Sequence, residues 1–336
     1  MDVSLIATVF NEAESLPRLL ASLAGQSRRP DEVVIADGGS TDGTLAILKE
    51  HAAAGELSLK IISAPGSNIS QGRNAAINAA AGPVIAATDA GVRLERDWLE
   101  KLVAPIEAGG ATAAGFFHPD PHTPFEVAMS ATVLPAAEEI DPESFLPSSR
   151  SVAFLKASWA AVGGYPEWLD YCEDLIFDFY LRQRHGPFAF APDAVVHFRP
   201  RGSLRSFFTQ YYRYARGDGK ADLWRKRHAL RYATYLLGLP LIGWLSTQRS
   251  PWFATLPLLG GVAYTWRPVR RLRAMGASLS LRDRAMALAT IPVIRLVGDA
   301  AKMIGYPAGV WWRLTSGEAE AWRDRLATFR EDRANL

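Results

Sequence analysis

The sequence predicts an α/β fold built on a parallel sheet, with a ligand crevice at the carboxyl ends of its strands. Three observations predict it. Apolar runs at Val3–Phe10, Val33–Ala36 and Pro83–Thr88 are continuous rather than alternating, as strands buried on both faces are. Each run stops at polar or acidic residues: Asn11-Glu12, Asp37-Gly38-Gly39 and Asp89-Ala90-Gly91. A helical pattern from Leu16 to Leu23 separates the first two. Ligands of open parallel sheets bind outside the strand carboxyl ends, so Glu12, Asp37 and Asp89 are expected along one edge of one cleft.

The remaining elements follow in chain order. Asp37 opens the segment DGGSTDGT, whose glycines let the backbone bend and approach a ligand. The same segment reads as a turn in which Ser40 or Thr41 caps a helix beginning near Thr44. Gly72-Arg73-Asn74 is expected to open a helix over Asn74–Ala80, offering backbone N–H groups and a guanidinium to a diphosphate, or simply a solvated arginine. Ala161-Val162-Gly163-Gly164-Tyr165-Pro166 reads as a turn. Glu173-Asp174 begins a helix over Asp174–Arg182, where acids also complement the helix dipole. His197 closes a later strand. Gln210, Arg213 and Arg216 share one helical face, which Gly217-Asp218-Gly219 is expected to break.

Composition narrows the class. The 336 residues are 49% hydrophobic and 21% charged, a globular balance, and a formal net charge of +2 gives no nucleic-acid signal. A single cysteine, Cys172, excludes an intrachain disulfide framework and fits a reducing compartment. Met1-Asp2 leads straight into a strand without a basic leader, so the first region is expected in the cytoplasm.

Near residue 230 the composition changes. From Tyr232 to Trp266 the one charge is Arg249, and basic clusters flank the stretch on both sides. Under the positive-inside rule this predicts a membrane hairpin over 232–266 with both ends cytoplasmic; a buried helical pair or a re-entrant hairpin are the alternatives. Over 285–312, Arg295, Asp299 and Lys302 recur at helical spacing ahead of Trp311-Trp312, predicting an interfacial amphipathic helix. The expected organisation is a globular domain over 1–220, membrane-associated helices over 221–315 and a charged cytoplasmic tail over 316–336.

The segments ATVFNE, IADGGSTDGT, GRNAAINAAAG and YCEDLIFDFYLR, in this order and spacing, resemble an inverting family 2 glycosyltransferase with a GT-A fold. The resemblance covers roughly residues 3–220. It implies a Rossmann-like nucleotide-sugar-binding domain with a mixed, mainly parallel sheet. It implies that Asp37 and Gly38, with Thr8, Phe10 and Glu12, hold the nucleoside, and that Arg73, Asp89, Arg213 and Arg216 serve the diphosphate. Asp174 is the implied general base, with Glu173 in reserve; it would take the acceptor proton as the hydroxyl attacks C1. An α-linked donor would then give a β-type product.

The chain departs from the family at Thr88-Asp89-Ala90-Gly91, where the second acid of the usual D-x-D is missing. One carboxylate can still ligate Mg²⁺ or Mn²⁺, and His197 is the expected second ligand, unless it is a structural strand-end histidine. Contact with lipid phosphate and a solvated face are the alternatives for Arg213 and Arg216. The apolar segments suggest a lipid-linked or glycan acceptor and a location at the cell membrane. A polyprenyl-phosphate glycosyl synthase, whose anionic acceptor needs no base, and a non-catalytic sugar-nucleotide-binding scaffold are the rivals. A dinucleotide-binding dehydrogenase is disfavoured, because no G-x-G-x-x-G follows the first strand.

Overall fold

A computed structural model describes residues 1–275 and 279–317. Its elements run β1 (Val3–Val9), α1 (Leu16–Ala24), β2 (Glu32–Asp37), α2 (Thr44–Ala54), β3 (Leu59–Ser63), α3 (Ile69–Ala79), β4 (Val84–Ala87), β5 (Val92–Leu94), α4 (Trp98–Glu107), β6 (Thr112–Pro119), α5 (Pro124–Val133), β7 (Val152–Leu155), α6 (Lys156–Ala161), α7 (Glu173–His185) and β8 (Ala189–Phe198). Then come α8 (Leu204–Lys220), α9 (Arg225–Tyr232), α10 (Leu239–Gln248), α11 (Thr255–Met275) and α12 (Leu281–Thr315). The chain divides into two compact units. The first holds Met1–Asp120 and Ala137–Arg199; the second holds Pro121–Ala136 and the described residues from Pro200 onward.

The first unit is an eight-stranded sheet in the order β3-β2-β1-β4-β7-β6-β8-β5. β1 to β4 run parallel, β7 is antiparallel to β4 and β6, β8 is parallel to β6, and β5 is antiparallel to β8. This is the mixed, GT-A-like α/β sheet the motifs imply. Alternate residues of one strand feed opposite cores. Leu5, Ala7 and Val9 join the leucines of α1 and Trp98, Leu99 and Leu102 of α4, whereas Ile6 joins Ala76 and Ile77 of α3 and Phe177 of α7. Helices on both faces explain why these strands are continuously apolar.

Two local expectations are corrected here. α3 begins at Ile69 rather than Asn74, because Asn68 and Gln71 form a capping box; Gly72 and Arg73 therefore lie inside a helix and are buried. α2 begins at Thr44 as expected, but neither Ser40 nor Thr41 caps it. Gly43 is the cap residue, and the Asp42 carboxylate accepts from the Thr44 N–H at 2.9 Å.

The second unit is helical, with a core of Val127, Met129, Phe207, Leu272, Ile291 and Ile294 among others. It takes in α5 and α8, so the expected boundary at 220 falls differently: segments 121–136 and 200–220 belong here. Gly217-Asp218-Gly219 does not break its helix; α8 runs to Lys220, and Gly219, Gly305 and Gly309 let the backbones of α8 and α12 touch.

The expected spanning hairpin is corrected too. Among the described residues no helix is long and apolar enough to cross a membrane. α10 is a ten-residue helix behind a six-residue π-helical turn, Ala233–Gly238, and the last turns of α11 carry Arg267, Arg270, Arg271 and Arg273. α12 reverses its expected amphipathicity. Asp299 is buried, bonded to Arg231 at 2.7 Å and to Tyr235 at 2.8 Å, whereas Val293, Leu296, Ile304 and Trp311 face outward. Of the expected tail over 316–336, residues 318–336 lie outside the described residues.

Candidate active site

The sheet puts the carboxyl ends of β2, β1 and β4 side by side. Val9 is in register with Asp37, and Ile6 with Ala87, so Asp37 and Asp89 flank the end of β1. Asp37 is buried, and its carboxylate accepts from the Ser40 N–H at 3.1 Å and the Ser40 hydroxyl at 2.6 Å. Gly38 donates its N–H to the Val9 carbonyl at 2.9 Å, drawing the loop across the strand end. Phe10, 61% exposed, stands beside Gly38. Asn11 adopts φ +56°, and its amide oxygen accepts from the Thr41 N–H at 2.8 Å. Thr8 packs against Gly72, where a Cβ would come within 2.9 Å of the threonine methyl. Glu12 turns to local duties: its carbonyl accepts from the N–H groups of Ser15 and Leu16 at the start of α1, its carboxylate from the Ser15 hydroxyl.

Arg73 joins two of the expected acids. Only 3% exposed, it donates from Nη1 to Glu173 Oε1 at 2.7 Å and from Nη2 to Asp89 Oδ1 at 3.1 Å. The guanidinium also lies over the Tyr165 ring, 5.2 Å from its centroid. Burial works against its charge, but Glu173 and Asp89 overcome that and raise its pKa further. This ion pair is structural as well as electrostatic, because it ties the end of β4 to the first turn of α7.

Glu173 and Asp174 have different surroundings. Glu173 is buried; burial first, then the Asp174 charge, push it up to about 7 against the pull of Arg73. Asp174 is partly exposed and accepts from the Leu175 N–H at 2.8 Å. Cys172, just before them, is held at φ +65°, a left-handed conformation that aims the first turn of α7. One turn on, Asp178 is buried, and among the described residues its Oδ2 has no hydrogen-bond partner. Burial first, then Asp174, raise it well above the usual carboxylate range.

Three contributors have partners or surroundings that the sequence did not signal. Arg150 forms an ion pair with Asp89, its Nε 3.3 Å from Oδ2, and lies over the Phe198 ring; the Thr88 hydroxyl donates to its carbonyl at 2.9 Å. Asn74 uses its whole amide on the 159–167 segment. Its Nδ2 donates to the Tyr165 carbonyl and to Glu167, and its Oδ1 accepts from the Tyr165 N–H and the Trp159 indole. Gly164, at φ +76°, leaves room for that amide. Asp178 is the third. The motif GRNAAINAAAG pointed at Asn74 without revealing its partner; Arg150 sits in no recognisable pattern.

The expected metal ligands have other partners in this structure. Asp89 is the one acid of the shortened motif, and each of its oxygens faces a guanidinium, Arg73 on one side and Arg150 on the other. His197, the expected second ligand, is in register with Arg93 and His118, and its Nε2 bonds Glu95. It neighbours Phe198 in β8, and side chains of consecutive strand residues point to opposite faces. Among the described residues no three His, Cys, Asp or Glu side chains gather in a metal-binding cluster. Arg213 and Arg216 lie on α8, in the second unit.

Known proteins resemble this chain in sequence and in fold. Residues 4–140 match the model of the family described as Glycosyl transferase family 2. Glycosyltransferase AglE of Haloferax volcanii is 29% identical over 144 residues, 41% of this chain and 47% of that protein. The chain thus spans about half the length of that relative. The succinoglycan biosynthesis protein ExoA of Rhizobium meliloti is 26% identical over 277 residues, 76% of this chain and 80% of that protein. The solved mannosyltransferase PcManGT from Pyrobaculum calidifontis, in complex with GDP-Man and Mn²⁺, is alike in fold. Its TM-score is 0.54 at 19% identity, over 93% of this chain and 87% of that one.

Proposed function

We propose that this chain is a glycosyltransferase that moves a sugar from a nucleotide-sugar donor to a hydroxyl of a lipid-linked or glycan acceptor, with inversion at C1. The observation that carries the reading is Arg73. One buried guanidinium binds the acid at the end of β4 and the acid at the start of α7, uniting the two motifs that the reaction needs in one place.

In this reading Asp37, with Ser40 and Gly38 around it, holds the nucleoside. Arg150, partly exposed beside Asp89, is the cation next to the diphosphate. The acceptor oxygen attacks C1 as the bond from C1 to the diphosphate oxygen breaks. The bonding electrons leave with the nucleoside diphosphate, and the acceptor proton passes to the Asp174 carboxylate. Asp174 suits that step better than Glu173. It is partly exposed, whereas Glu173 is buried and committed to Arg73. Glu173 is then a positioning residue that orients the first turn of α7.

The test is calorimetric binding of UDP-, GDP- and dTDP-sugars to the full chain, combined with turnover of the donor that binds. Asp37→Ala should abolish donor binding. Asp174→Asn should leave binding intact and lower turnover by about 10²–10⁴-fold. Full turnover in Asp174→Asn would remove the base and favour an acceptor that is already an anion. A folded protein that binds none of these donors would overturn the reading.

A further inference from the structure

The second unit carries an apolar arm that touches α12 through Tyr235 and Tyr264 but buries none of its residues in its own fold. From residue 233 to residue 267, through the π-helical turn, α10, a 3₁₀ turn (Pro251–Ala254) and the first half of α11, no residue is buried. Leu236, Leu237, Leu241, Trp244, Trp252 and Leu258 are each more than half exposed. A contiguous apolar surface of this extent marks an interaction site rather than ordinary surface.

Charge identifies the occupant. The base of one side of the arm holds exposed Lys226 and Arg227, beside Arg225 and Arg231, which pair with Asp222 and Asp299; the base of the other holds Arg267, Arg270, Arg271 and Arg273. No acidic residue occurs from Arg225 to Met275. A second copy of this chain would bring like-charged collars together, whereas anionic headgroups complement them. The length of the arm sets the depth. The π-helical turn and α10 rise at most roughly 24 Å, less than the ~30 Å of a bilayer's hydrocarbon core. Exposed Trp266 lies beside the collar, at the level where indoles settle between headgroups and acyl chains.

We propose that residues 233–266 dip into an anionic lipid bilayer from one side, with the basic residues at both bases of the arm in the headgroup layer, and do not cross it. This inference stands apart from glycosyl transfer and survives if that reading fails.

Vesicle flotation of the full chain tests it, with phosphatidylcholine vesicles alone or with about 30% phosphatidylglycerol. The wild type should float with the anionic vesicles and much less with the neutral ones. Leu258→Asp/Leu259→Asp, at positions 71% and 65% exposed, should keep the wild-type thermal melt yet float at about a tenth of the wild-type level or less. Arg267→Glu/Arg273→Glu should lose the preference for anionic vesicles. A wild type that stays at the bottom with both vesicle types overturns the proposal, as does a Leu258→Asp/Leu259→Asp variant that floats like wild type. Sedimentation velocity settles the competing occupant. A wild-type dimer that the same double variant dissociates, with no flotation, would assign the arm to a second copy of the chain.

Discussion

β1 and the arm over 233–266 are both long apolar stretches, and they end in opposite situations. β1 lies between two helical layers, with Leu5, Ile6 and Ala7 fully enclosed. The arm has no residue enclosed at all. Apolar content states that a stretch needs cover; neighbouring elements decide whether the fold supplies it. Where it does, the strand ends are fixed closely enough to hold a polar network of single-atom contacts. Where it does not, the cover must come from outside.

That contrast can be broken at several points. The largest stability effect is expected at Arg73. Replacing it with alanine leaves Glu173 and Asp89 without their shared cation, and removing one partner of a buried ion pair costs about 3–5 kcal/mol. Denaturant unfolding should show this as a large fall in midpoint, and a fall within experimental error would mean the network is not built as described. Next comes one substitution made in both regions. Leu16→Ala, in the enclosed core, should cost about 2–5 kcal/mol, whereas Leu258→Ala should stay within about 0.5 kcal/mol in the absence of lipid. Equal losses at the two sites would show that the arm is packed in solution after all.

A smaller, pH-dependent effect belongs to Glu173. Its pKa is raised from the ordinary 4.5 to about 7, so the folded state holds a proton that the unfolded state releases between those values. The associated stability is fully present below about pH 4.5 and is lost as pH rises through about 7. Relative to Glu173→Gln, the wild type should weaken on the order of 1–3 kcal/mol from pH 5 to pH 7.5, in parallel melts. The smallest expected change is that on adding EDTA. Because both Asp89 oxygens already face guanidiniums, donor affinity should shift less than about threefold, roughly 0.7 kcal/mol. A loss of binding that Mn²⁺ restores would return Asp89 to a metal-ligand role.

Much of the catalytic region was legible because strand ends and acids are local signals. Asp37 and Asp89 could be placed from apolar runs and the residues that stop them, and Glu173 and Asp174 from the helix they begin and the motif they share with the family. What brings them together was not legible. Arg73 read as a helix-start residue facing a ligand, since the Asn68–Gln71 capping box that begins α3 five residues earlier is a weaker pattern than the glycine at 72. Arg150 and the four hydrogen bonds of Asn74 depend on contacts between segments far apart in the chain, which no periodicity encodes. The polar face of α12 was found correctly by its spacing but assigned to solvent. Its partners Arg231, Tyr235 and Tyr264 sit on other helices, and they turn that face inward.

The glycines of α8 and α12 have a mechanical meaning. At Gly219, Gly305 and Gly309 a methyl group would strike the opposing main chain, so no side chain cushions that crossing. Side chains elsewhere give a helix pair some slack, since rotamers can shift while the axes tilt. Here backbone rests on backbone, and α12, 35 residues long, is riveted to α8 at successive turns. A displacement of one of these helices therefore meets the main chain of the other directly, as between two bars bolted through the same holes.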